Sequence, residues 1–260
     1  MRLDVYLAAN GYAESRERAK RLIESGAVTV GGALAQKAAQ EVVGAPAITV
    51  REERFVGRGG EKLDAALRLF SVDPRGLHAL DIGASTGGFT DCLLQHGAAA
   101  VVALDAGMGQ LHPRLLADAR VRNIEKYNAR ELAPADVGTV ELVVMDVSFI
   151  SQTYILPRIP SVLSEDGRLI SLVKPQFEAG RTALNKKGLV KHPRDRVMAV
   201  RRVLSAAAEA GLRCVGLAPS PIRGGDGNEE YLAVFEKSAD CRGNLHISVE
   251  KTVLEGAVSQ

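Results

Sequence analysis

Two lysines and two carboxylates are the residues whose types and spacing favour acid–base chemistry in this sequence. Asp146 directly follows a predicted strand, and Lys174 directly follows the next one. Because the carboxyl ends of parallel strands meet at one edge of a sheet, we expect both side chains to face one crevice. Glu230 begins a final antiparallel strand, which starts at that same edge. The spacing does not place Lys62, and structural ion pairs are the alternative to catalysis.

A glycine-rich loop after the first strand of this region is typical of nucleotide binding. Residues 80–90 read LDIGASTGGFT and open a helix, so the backbone can approach a ligand closely and helix N–H groups face its polar atoms. The next strand ends at Asp105, 22 residues after Gly83, where a carboxylate would bind ribose hydroxyls. The pattern predicts an adenosine cofactor without distinguishing a dinucleotide from S-adenosylmethionine. A glycine-rich turn without a ligand is the alternative.

Alternating strands and helices must position these residues. Strands are predicted over residues 77–82, 100–104, 121–124, 142–145, 169–173, 213–217 and 231–235, with helices that include 89–95, 157–163 and 194–210. The alternation predicts an open, mostly parallel sheet covered on both faces. Residues 218–230, which join the last two strands, are rich in Pro and Gly and have no helical pattern, so the last strand is predicted to be antiparallel.

The first 50 residues predict a small α+β module. Gly11 ends a first helix, Ser15 caps a second, and strands follow at 27–30 and 48–50, with a tight turn at Gly31. The second helix has an apolar stripe and, on and beside its opposite face, four basic residues: Arg16, Arg18, Lys20 and Arg21.

The composition excludes several classes of protein. With 260 residues, 46% hydrophobic and 25% charged, the chain is neither disordered nor collagen-like. Its three cysteines are widely separated, with no CxxC pair and no histidine at ligand spacing, so neither a disulfide framework nor a metal site is expected. The N-terminus lacks an apolar signal region, and no stretch approaches the roughly 18 apolar residues of a membrane span. These features predict a cytoplasmic protein and leave the oligomeric state open.

The net charge of +2 conceals an uneven distribution of charge. Residues 168–202 contain 10 Lys or Arg against two acidic residues, whereas residues 63–167 are net acidic. Prolines and glycines interrupt the basic block, which predicts a loop and a following helix able to neutralise phosphates, with Lys186 and Lys187 among the candidate contacts. The alternative is a solvated charged face.

The N-terminal module resembles the S4-like RNA-binding domain. The resemblance rests on RLD (2–4), Gly11, Ser15-Arg16, Ala19, Ile23, Gly26, Val28 and Val30, with Gly31 where that domain often has asparagine. It implies that Arg2 and the basic helix face, including Arg16, Arg18, Lys20 and Arg21, bind RNA.

The larger region resembles FtsJ-like ribose 2′-O-methyltransferases, since Lys62, Asp146, Lys174 and Glu230 match their Lys-Asp-Lys-Glu tetrad. The supporting motifs are GASTGGFTD (83–91), DAGMGQL (105–111), DVSFIS (146–151), VKPQFE (173–178) and GNEEY (227–231). From residue 2 to about 237 the chain is similar to the TlyA (hemolysin A) family. That family uses S-adenosylmethionine to methylate cytidine 2′-hydroxyls in 16S and 23S ribosomal RNA, and some members are labelled hemolysins.

The resemblance implies a fold, a division of the chain and a site. The fold is a Rossmann-like class I methyltransferase with a seven-stranded, mostly parallel sheet and an antiparallel last strand, preceded by the small S4-like domain. The expected divisions are an RNA-binding domain at 1–50, a linker at 51–60, a methyltransferase domain at 61–237 and a C-terminal tail at 238–260. The implied S-adenosylmethionine contacts are Asp81, Gly83, Ala84, Ser85, Thr86, Gly87, Phe89, Asp105, Gln110, Leu111 and Asp146.

The implied chemistry is methyl transfer to ribosomal RNA or ribosomal subunits. Lys174 either accepts the proton of the ribose hydroxyl or only orients the ribose, with Asp146 or water as acceptor; a neighbouring cation such as Lys62 would make Lys174 less basic. Three rival functions remain: an NAD-dependent oxidoreductase, a non-enzymatic RNA-binding or ribosome-assembly factor, and membrane lysis, for which no suitable segment is evident.

Overall fold

The computed structural model describes residues 1–24, 26–50, 54–224, 227–238 and 248–255. The chain divides into two compact units, Met1–Arg54 and Phe55–Gln260. Of the residues singled out above, Cys241 and the side chain of Arg21 lie outside the described part, as do positions 51–53 of the expected linker and most of the expected tail.

The first unit contains two helices and a three-stranded antiparallel sheet. Its elements are α1 (Leu3–Ala9), α2 (Arg16–Glu24), β1 (Val28–Val30), β2 (Ala33–Leu34) and β3 (Ile48–Val50), with strand order β2-β1-β3. The predicted cap is confirmed, because Ser15 Oγ accepts a hydrogen bond from the Arg18 N–H at 3.1 Å. Leu3, Leu7 and Ile23 are buried in the core that joins the helices to the sheet. The α+β module predicted from the sequence is therefore confirmed.

The second unit is a seven-stranded sheet between layers of helices. Its helices are α3 (Gly59–Leu69), α4 (Gly88–Gln95), α5 (Pro113–Leu116), α6 (Pro134–Val137), α7 (Ile159–Val162), α8 (Pro175–Glu178), α9 (Pro193–Glu209) and α10 (Val249–Glu255). Its strands are β4 (His78–Ile82), β5 (Ala100–Leu104), β6 (Val121–Ile124), β7 (Val140–Met145), β8 (Leu163–Val173), β9 (Leu212–Pro219) and β10 (Tyr231–Lys237). Short 3-10 turns lie at Ala129–Glu131, Gln152–Tyr154, Leu156–Arg158 and Arg181–Ala183.

The strand order is β6-β5-β4-β7-β8-β10-β9. The pairings from β6 to β8 are parallel, and β10 is antiparallel to both of its neighbours, β8 and β9. The predicted mostly parallel sheet with an antiparallel last strand is confirmed. The carboxyl ends of the parallel strands and the start of β10 consequently lie at one edge.

Alternation along the strands buries both faces of the sheet. On β7, Val143 and Met145 belong to the core beneath α9, whereas Leu142 and Val144 belong to the core beneath α3 and α4. Because successive side chains of a strand point to opposite faces, a continuous apolar run such as this one needs a helical layer on each side.

Two segments differ from expectation. The helix predicted over 157–163 is present but irregular: a 3-10 turn at Leu156–Arg158 leads into the single-turn α7, and Leu163 already begins β8. Pro157 and Pro160 each lie at the first or second position of their short helix, where a missing N–H group is tolerated. The C-terminal region, for which the sequence offered no motif, contains α10, whose Val249 and Val253 are buried in the core beside α9.

Candidate active site

Asp146 and Lys174 meet at the carboxyl edge of the sheet. Asp146 follows β7 and Lys174 follows β8, and Lys174 Nζ lies 2.6 Å from Asp146 Oδ1. The same ammonium donates a hydrogen bond to Ser148 Oγ at 2.8 Å. Lys174 is buried, whereas Asp146 is partly exposed. The amine direction is therefore set by two partners from one loop.

Lys62 and Glu230 form a second ion pair. Lys62 Nζ lies 2.5 Å from Glu230 Oε2, and the residues are only 6% and 4% exposed. Tyr231 pairs with Val173 in the sheet, so Glu230 and Lys174 lie at adjoining positions of neighbouring strands. The four residues singled out from the sequence thus form two lysine–carboxylate pairs at one edge.

Close packing between α3 and α4 places Lys62. Gly88 opens α4, and a Cβ at that position would lie 2.9 Å from the Gly60 nitrogen and 3.1 Å from the Gly57 carbonyl oxygen. Only a residue without a side chain permits this approach. The start of α3 therefore lies directly over the start of α4, and Lys62 follows within the first turn of α3.

Gly83 brings the ends of β4 and β7 together. Its φ is +85°, and a Cβ would lie 2.6 Å from the Asp146 carbonyl oxygen. The residue must be glycine both for the left-handed conformation and for space. The glycine loop and the Asp146 loop are consequently packed against each other.

Two adjoining cavities open at this edge. The larger, of about 710 Å³, is lined by predicted cofactor residues and by apolar walls that include Ile82, Leu104 and Ile155. The smaller, of about 190 Å³, is lined by the glycine loop, the 57–59 segment and Lys174. Asp146 and Ser148 line both cavities. The Lys174–Asp146 pair thus stands where the two spaces meet.

Most of the predicted cofactor residues line these cavities. They are Gly83, Ser85, Asp105, Gln110 and Asp146 in the larger cavity, with Ala84, Thr86 and Phe89 in the smaller. Asp81, Gly87 and Leu111 are not among the described residues that line either cavity. Asp81 is buried below the loop, and Leu111 packs against Gly87. Their contact with the cofactor stays a prediction.

Asp105 organises the wall of the larger cavity. Its carboxylate accepts hydrogen bonds from the Ser85 N–H at 2.8 Å and the Gly107 N–H at 2.7 Å. Ser85 Oγ also lies 3.2 Å from Gln110 Oε1. Since each carboxylate oxygen has two acceptor sites, Asp105 retains capacity for further donors.

Asp81 is a carboxyl group that lies beneath the glycine-rich loop, and its burial changes its pKa. Asp81 is fully buried, and its carboxylate accepts a hydrogen bond from Thr90 Oγ1 at 2.7 Å. Burial raises the pKa of Asp81 to about 7, because the interior disfavours the charged form more than the Thr90 bond favours it.

Several residues that line the larger cavity were not predicted from the sequence. Lys126, Tyr127 and Asn128 follow β6 directly and line the larger cavity. The rule that identified Asp146 and Lys174, that ligands bind beyond the carboxyl ends of strands, applies equally to β6 and could have found them. Ser148, the second partner of Lys174, carried no signal of its own beyond its place in the DVSFIS motif.

Strained backbone is concentrated around the larger cavity. Ser85, Lys126 and Phe149 have φ values of 50°, 55° and 64°, and all three line it. Non-glycine residues in this conformation are costly and often mark functional sites. Phe149 is also 93% exposed, with its ring centroid 5.3 Å from that of Phe177. An aromatic ring is therefore presented beside Asp146.

The predicted RNA contacts lie in two different settings. In the first unit, Arg2 and Arg16 pair with the buried Asp4 at 2.9 Å and 3.3 Å. The hydrogen bond from Arg2 is the main cause that lowers the pKa of Asp4 to about 2. Lys20 is exposed and Arg18 is half-buried. In the second unit, Lys186 and Lys187 are exposed.

The prediction that no histidine lies at ligand spacing is wrong for Cys92 and His96, which are four residues apart. With Asp64 they form a cluster of residue types that can bind metals, outside the cavities. One ligand atom from each of Asp64 in α3, Cys92 in α4 and His96, which directly follows α4, lies within 4.8 Å of the others. His96 Nε2 is 2.8 Å from Asp64 Oδ1, and Arg68 pairs with Asp64 Oδ2. Both carboxylate oxygens are therefore engaged by protein groups, and we assign the cluster to the packing of α3 on α4.

A membrane-spanning helix, which needs both length and a continuous apolar surface, does not occur within the part of the chain that the structure describes.

Comparisons with known proteins agree with this geometry. The model of the FtsJ-like methyltransferase family matches residues 55–237, and that of the S4 domain matches residues 1–44. A 16S/23S rRNA (cytidine-2′-O)-methyltransferase, TlyA, from Mycobacterium tuberculosis is 41% identical over 98% of both chains. Hemolysin A from Brachyspira hyodysenteriae is 41% identical over 90% of this chain and 99% of its own.

Solved structures show the same relationship. A protein from Streptococcus thermophilus, provisionally named a hemolysin, has a TM-score of 0.80 and 38% identity, and the match covers 99% of this chain and 96% of that one. An S-adenosylmethionine-dependent methyltransferase from Mesorhizobium loti, 17% identical with a TM-score of 0.51, shares the fold over 69% of this chain and 99% of its own. This chain belongs to the FtsJ-like methyltransferase family and carries an S4 domain at its N-terminus.

Proposed function

We propose that this protein transfers a methyl group from S-adenosylmethionine to the 2′-hydroxyl of a cytidine in 16S or 23S ribosomal RNA. The observation that carries the proposal is the Lys174 ammonium, held by Asp146 and Ser148 where the two cavities meet. Full-length similarity to a protein named for that reaction supports the substrate. A ribosomal RNA substrate supports a cytoplasmic location.

The larger cavity fits S-adenosylmethionine. Its volume of about 710 Å³ lies within the range of small-molecule sites, about 300–1,000 Å³. Asp105 suits the ribose hydroxyls of the cofactor, and the apolar walls suit its adenine. When bound, the cofactor supplies a methyl group already activated on a sulfonium.

The residues of the chain then have to align a hydroxyl and remove its proton. Alignment of reacting groups can contribute about 7–11 kcal/mol. Lys174, directed by Asp146 and Ser148, orients the 2′-hydroxyl, and after losing its own proton the neutral amine would accept the hydroxyl proton while the methyl group passes from the sulfonium sulfur to the 2′-oxygen. Lys62 and Glu230 complete the buried wall beside this pair. Phe149 offers an exposed ring on which the target base can stack.

The geometry argues against a dinucleotide cofactor. Dinucleotide folds bind pyrophosphate at the N-terminus of the helix after the glycine loop. Here the backbone of the 57–60 segment lies against that helix start, with the Gly57 oxygen only 3.1 Å from a Cβ built on Gly88. Comparing the affinities for NAD and S-adenosylmethionine by calorimetry tests this directly, since tight NAD binding would contradict the proposal.

The decisive experiment is a methyl-transfer assay. The protein is incubated with S-adenosylmethionine and ribosomal RNA from cells that lack the corresponding gene, and nucleosides are analysed by mass spectrometry. The expected product is 2′-O-methylcytidine. If no methyl group is transferred under conditions in which both RNA and cofactor bind, the protein is an RNA-binding factor instead.

Replacing Asp105 with alanine will weaken S-adenosylmethionine binding by about 10- to 100-fold. Hydrogen bonds to a charged group contribute about 1.5–3 kcal/mol, and Asp105 also holds the Ser85 and Gly107 amides. Calorimetry measures the affinity, and Asp118→Ala, which removes a surface carboxylate paired with Arg120, is the matched control. Equal affinity of Asp105→Ala and wild type would remove Asp105 from the cofactor site.

Replacing Lys186 and Lys187 with glutamine will weaken RNA binding mainly at low salt. If each lysine contacts one phosphate, the slope of log affinity against log salt will become shallower by about 1.5 for the pair. Binding is measured by fluorescence anisotropy from 50 to 200 mM salt, with the exposed Lys251→Gln as control. An unchanged slope would show that Lys186 and Lys187 do not contact phosphates of the RNA.

A further inference from the structure

A buried carboxyl group links the two loops that carry Asp146 and Lys174. Glu178 ends α8, the short helix that begins directly after Lys174, and is only 3% exposed. Its Oε2 accepts a hydrogen bond from Ser151 Oγ at 2.5 Å, and its Oε1 accepts one from the Gln152 N–H at 2.8 Å. Both donors lie at the far end of the loop that begins with Asp146.

The network continues into the sheet. Gln152 Nε2 donates to the Leu172 carbonyl at 2.6 Å, and Gln152 Oε1 accepts from Ser171 Oγ at 2.7 Å. Ser171 and Leu172 belong to β8, the strand that leads to Lys174. The Asp146 loop is thus hydrogen-bonded at its far end to the strand before Lys174 and to the helix after it.

This arrangement is not a simple surface contact. Burial raises the pKa of Glu178, because the desolvation of its carboxylate outweighs the hydrogen bonds that favour the charge. Glu178 is absent from the described lining of both cavities, so it does not face the space assigned to cofactor and hydroxyl. Glu178 instead lines a separate cavity of about 360 Å³ beside α9, together with Arg202. A carboxyl group that is buried at a cost and lies away from the two cavities of the proposed site needs another reason for its place.

We propose that Glu178 is a positioning residue for methyl transfer: by holding Ser151 and Gln152, it fixes the loop that keeps Asp146 and Ser148 on the amine of Lys174. The proposal rests on the proposed function. Without the hydrogen bonds of Glu178, the loop loses its attachment to α8, and the direction of the Lys174 amine is no longer fixed. Misplacement of a reacting group by about 1 Å can reduce a rate about 100-fold.

Two substitutions distinguish the hydrogen bonds of Glu178 to Ser151 and Gln152 from the negative charge of its carboxylate. Glu178→Ala removes both acceptors. Glu178→Gln keeps an oxygen for the Gln152 N–H, and its amide donates to Ser151 Oγ, which can in turn donate to Thr153 Oγ1 at 2.7 Å. Glu236→Ala is the matched control, since Glu236 is a half-buried carboxylate on β10, paired with Arg168 at 3.0 Å, at the end opposite Glu230.

The readouts are kcat, S-adenosylmethionine affinity and hydrogen exchange of a peptide covering residues 146–153. For Glu178→Ala we expect kcat to fall by about 10- to 100-fold and the peptide to exchange faster. Cofactor affinity should fall less than kcat, because only part of the larger cavity is lined by residues 146–150. Glu178→Gln and Glu236→Ala should remain within about threefold of wild-type kcat. All assays are run well below the lowest Tm of the set.

The outcomes are separable. Wild-type kcat in Glu178→Ala, or unchanged exchange of the 146–153 peptide, overturns the positioning role. A fall in Glu178→Ala that Glu178→Gln does not restore, or one that Glu236→Ala reproduces, also overturns it, because the effect would then follow the charge or general stability. Absence of methyl transfer by the wild-type protein is instead a failure of the proposed function. The exchange measurement then still tests whether Glu178 fixes the 146–153 loop.

Discussion

Replacing Lys174 with methionine will reduce methyl transfer by about 10²- to 10⁴-fold while leaving S-adenosylmethionine affinity within about twofold. Methionine retains the length and apolar stem of lysine but cannot orient a hydroxyl or accept its proton. Asp146 then loses the cation that lies 2.6 Å away and is itself partly exposed, so the fold should survive. Single-turnover assays with saturating RNA and cofactor measure the effect. Near-normal turnover would exclude Lys174 from the reaction.

Lys174→Arg distinguishes the two roles open to this residue. The guanidinium remains charged in proteins and donates hydrogen bonds but cannot accept a proton. If Lys174 is the proton acceptor, arginine will be as inactive as methionine. Activity more than about tenfold above that of Lys174→Met would show that the residue orients the ribose and that another group accepts the proton.

Replacing Lys62 with methionine will lower the free energy of unfolding by about 3–5 kcal/mol and impair activity. The substitution leaves the Glu230 carboxylate buried without its partner, and an uncompensated buried charge is strongly destabilising. Chemical denaturation, followed by a probe in the second unit, measures the loss. A change in stability of less than 1 kcal/mol would show that the pair is more hydrated than its burial indicates.

The double variant Lys62→Met, Glu230→Met separates structure from chemistry. Replacing both members of a buried pair with apolar residues is often neutral for stability. We therefore expect stability to recover and methyl transfer to remain low. Recovery of both quantities would assign Lys62 and Glu230 to the structural ion-pair role that the sequence left open.

The sequence predicted the convergence of Asp146 and Lys174 because a general rule applies to strand ends. Two residues that directly follow adjacent parallel strands must meet at one edge, whatever their side chains. Glu230 followed from the absence of a helical connection before β10, which forced that strand to be antiparallel. These inferences needed only the alternation of elements.

The partner of Lys62 could not be predicted in the same way. The sequence suggested Lys62 as an example of a cation that could neighbour Lys174 but gave it no partner, and the structure pairs it with Glu230. Its position depends on how closely α3 approaches α4, which is set by a contact between Gly88 and the 57–60 backbone. Nothing in the local pattern distinguishes such a glycine from one that serves a ligand.

Short helices such as α10 could not be predicted from the sequence pattern. The seven-residue α10 buries Val249 and Val253, and one i,i+4 pair is too little periodicity to predict a helix. Glu178 belonged to a recognised motif, but its partners Ser151 and Gln152 lie 27 and 26 residues before it in sequence, so no local pattern could predict these contacts.

The position of β10 has a consequence for biosynthesis. This strand lies between β8 and β9, and it brings Glu230 to Lys62 across 168 residues of chain. The first unit and the parallel strands β4 to β8 can form while the chain is still being synthesised, whereas β9 has no neighbour in the sheet until β10 emerges. A nascent chain therefore acquires its proposed RNA-binding unit early and its complete active site only after the last strand has been inserted.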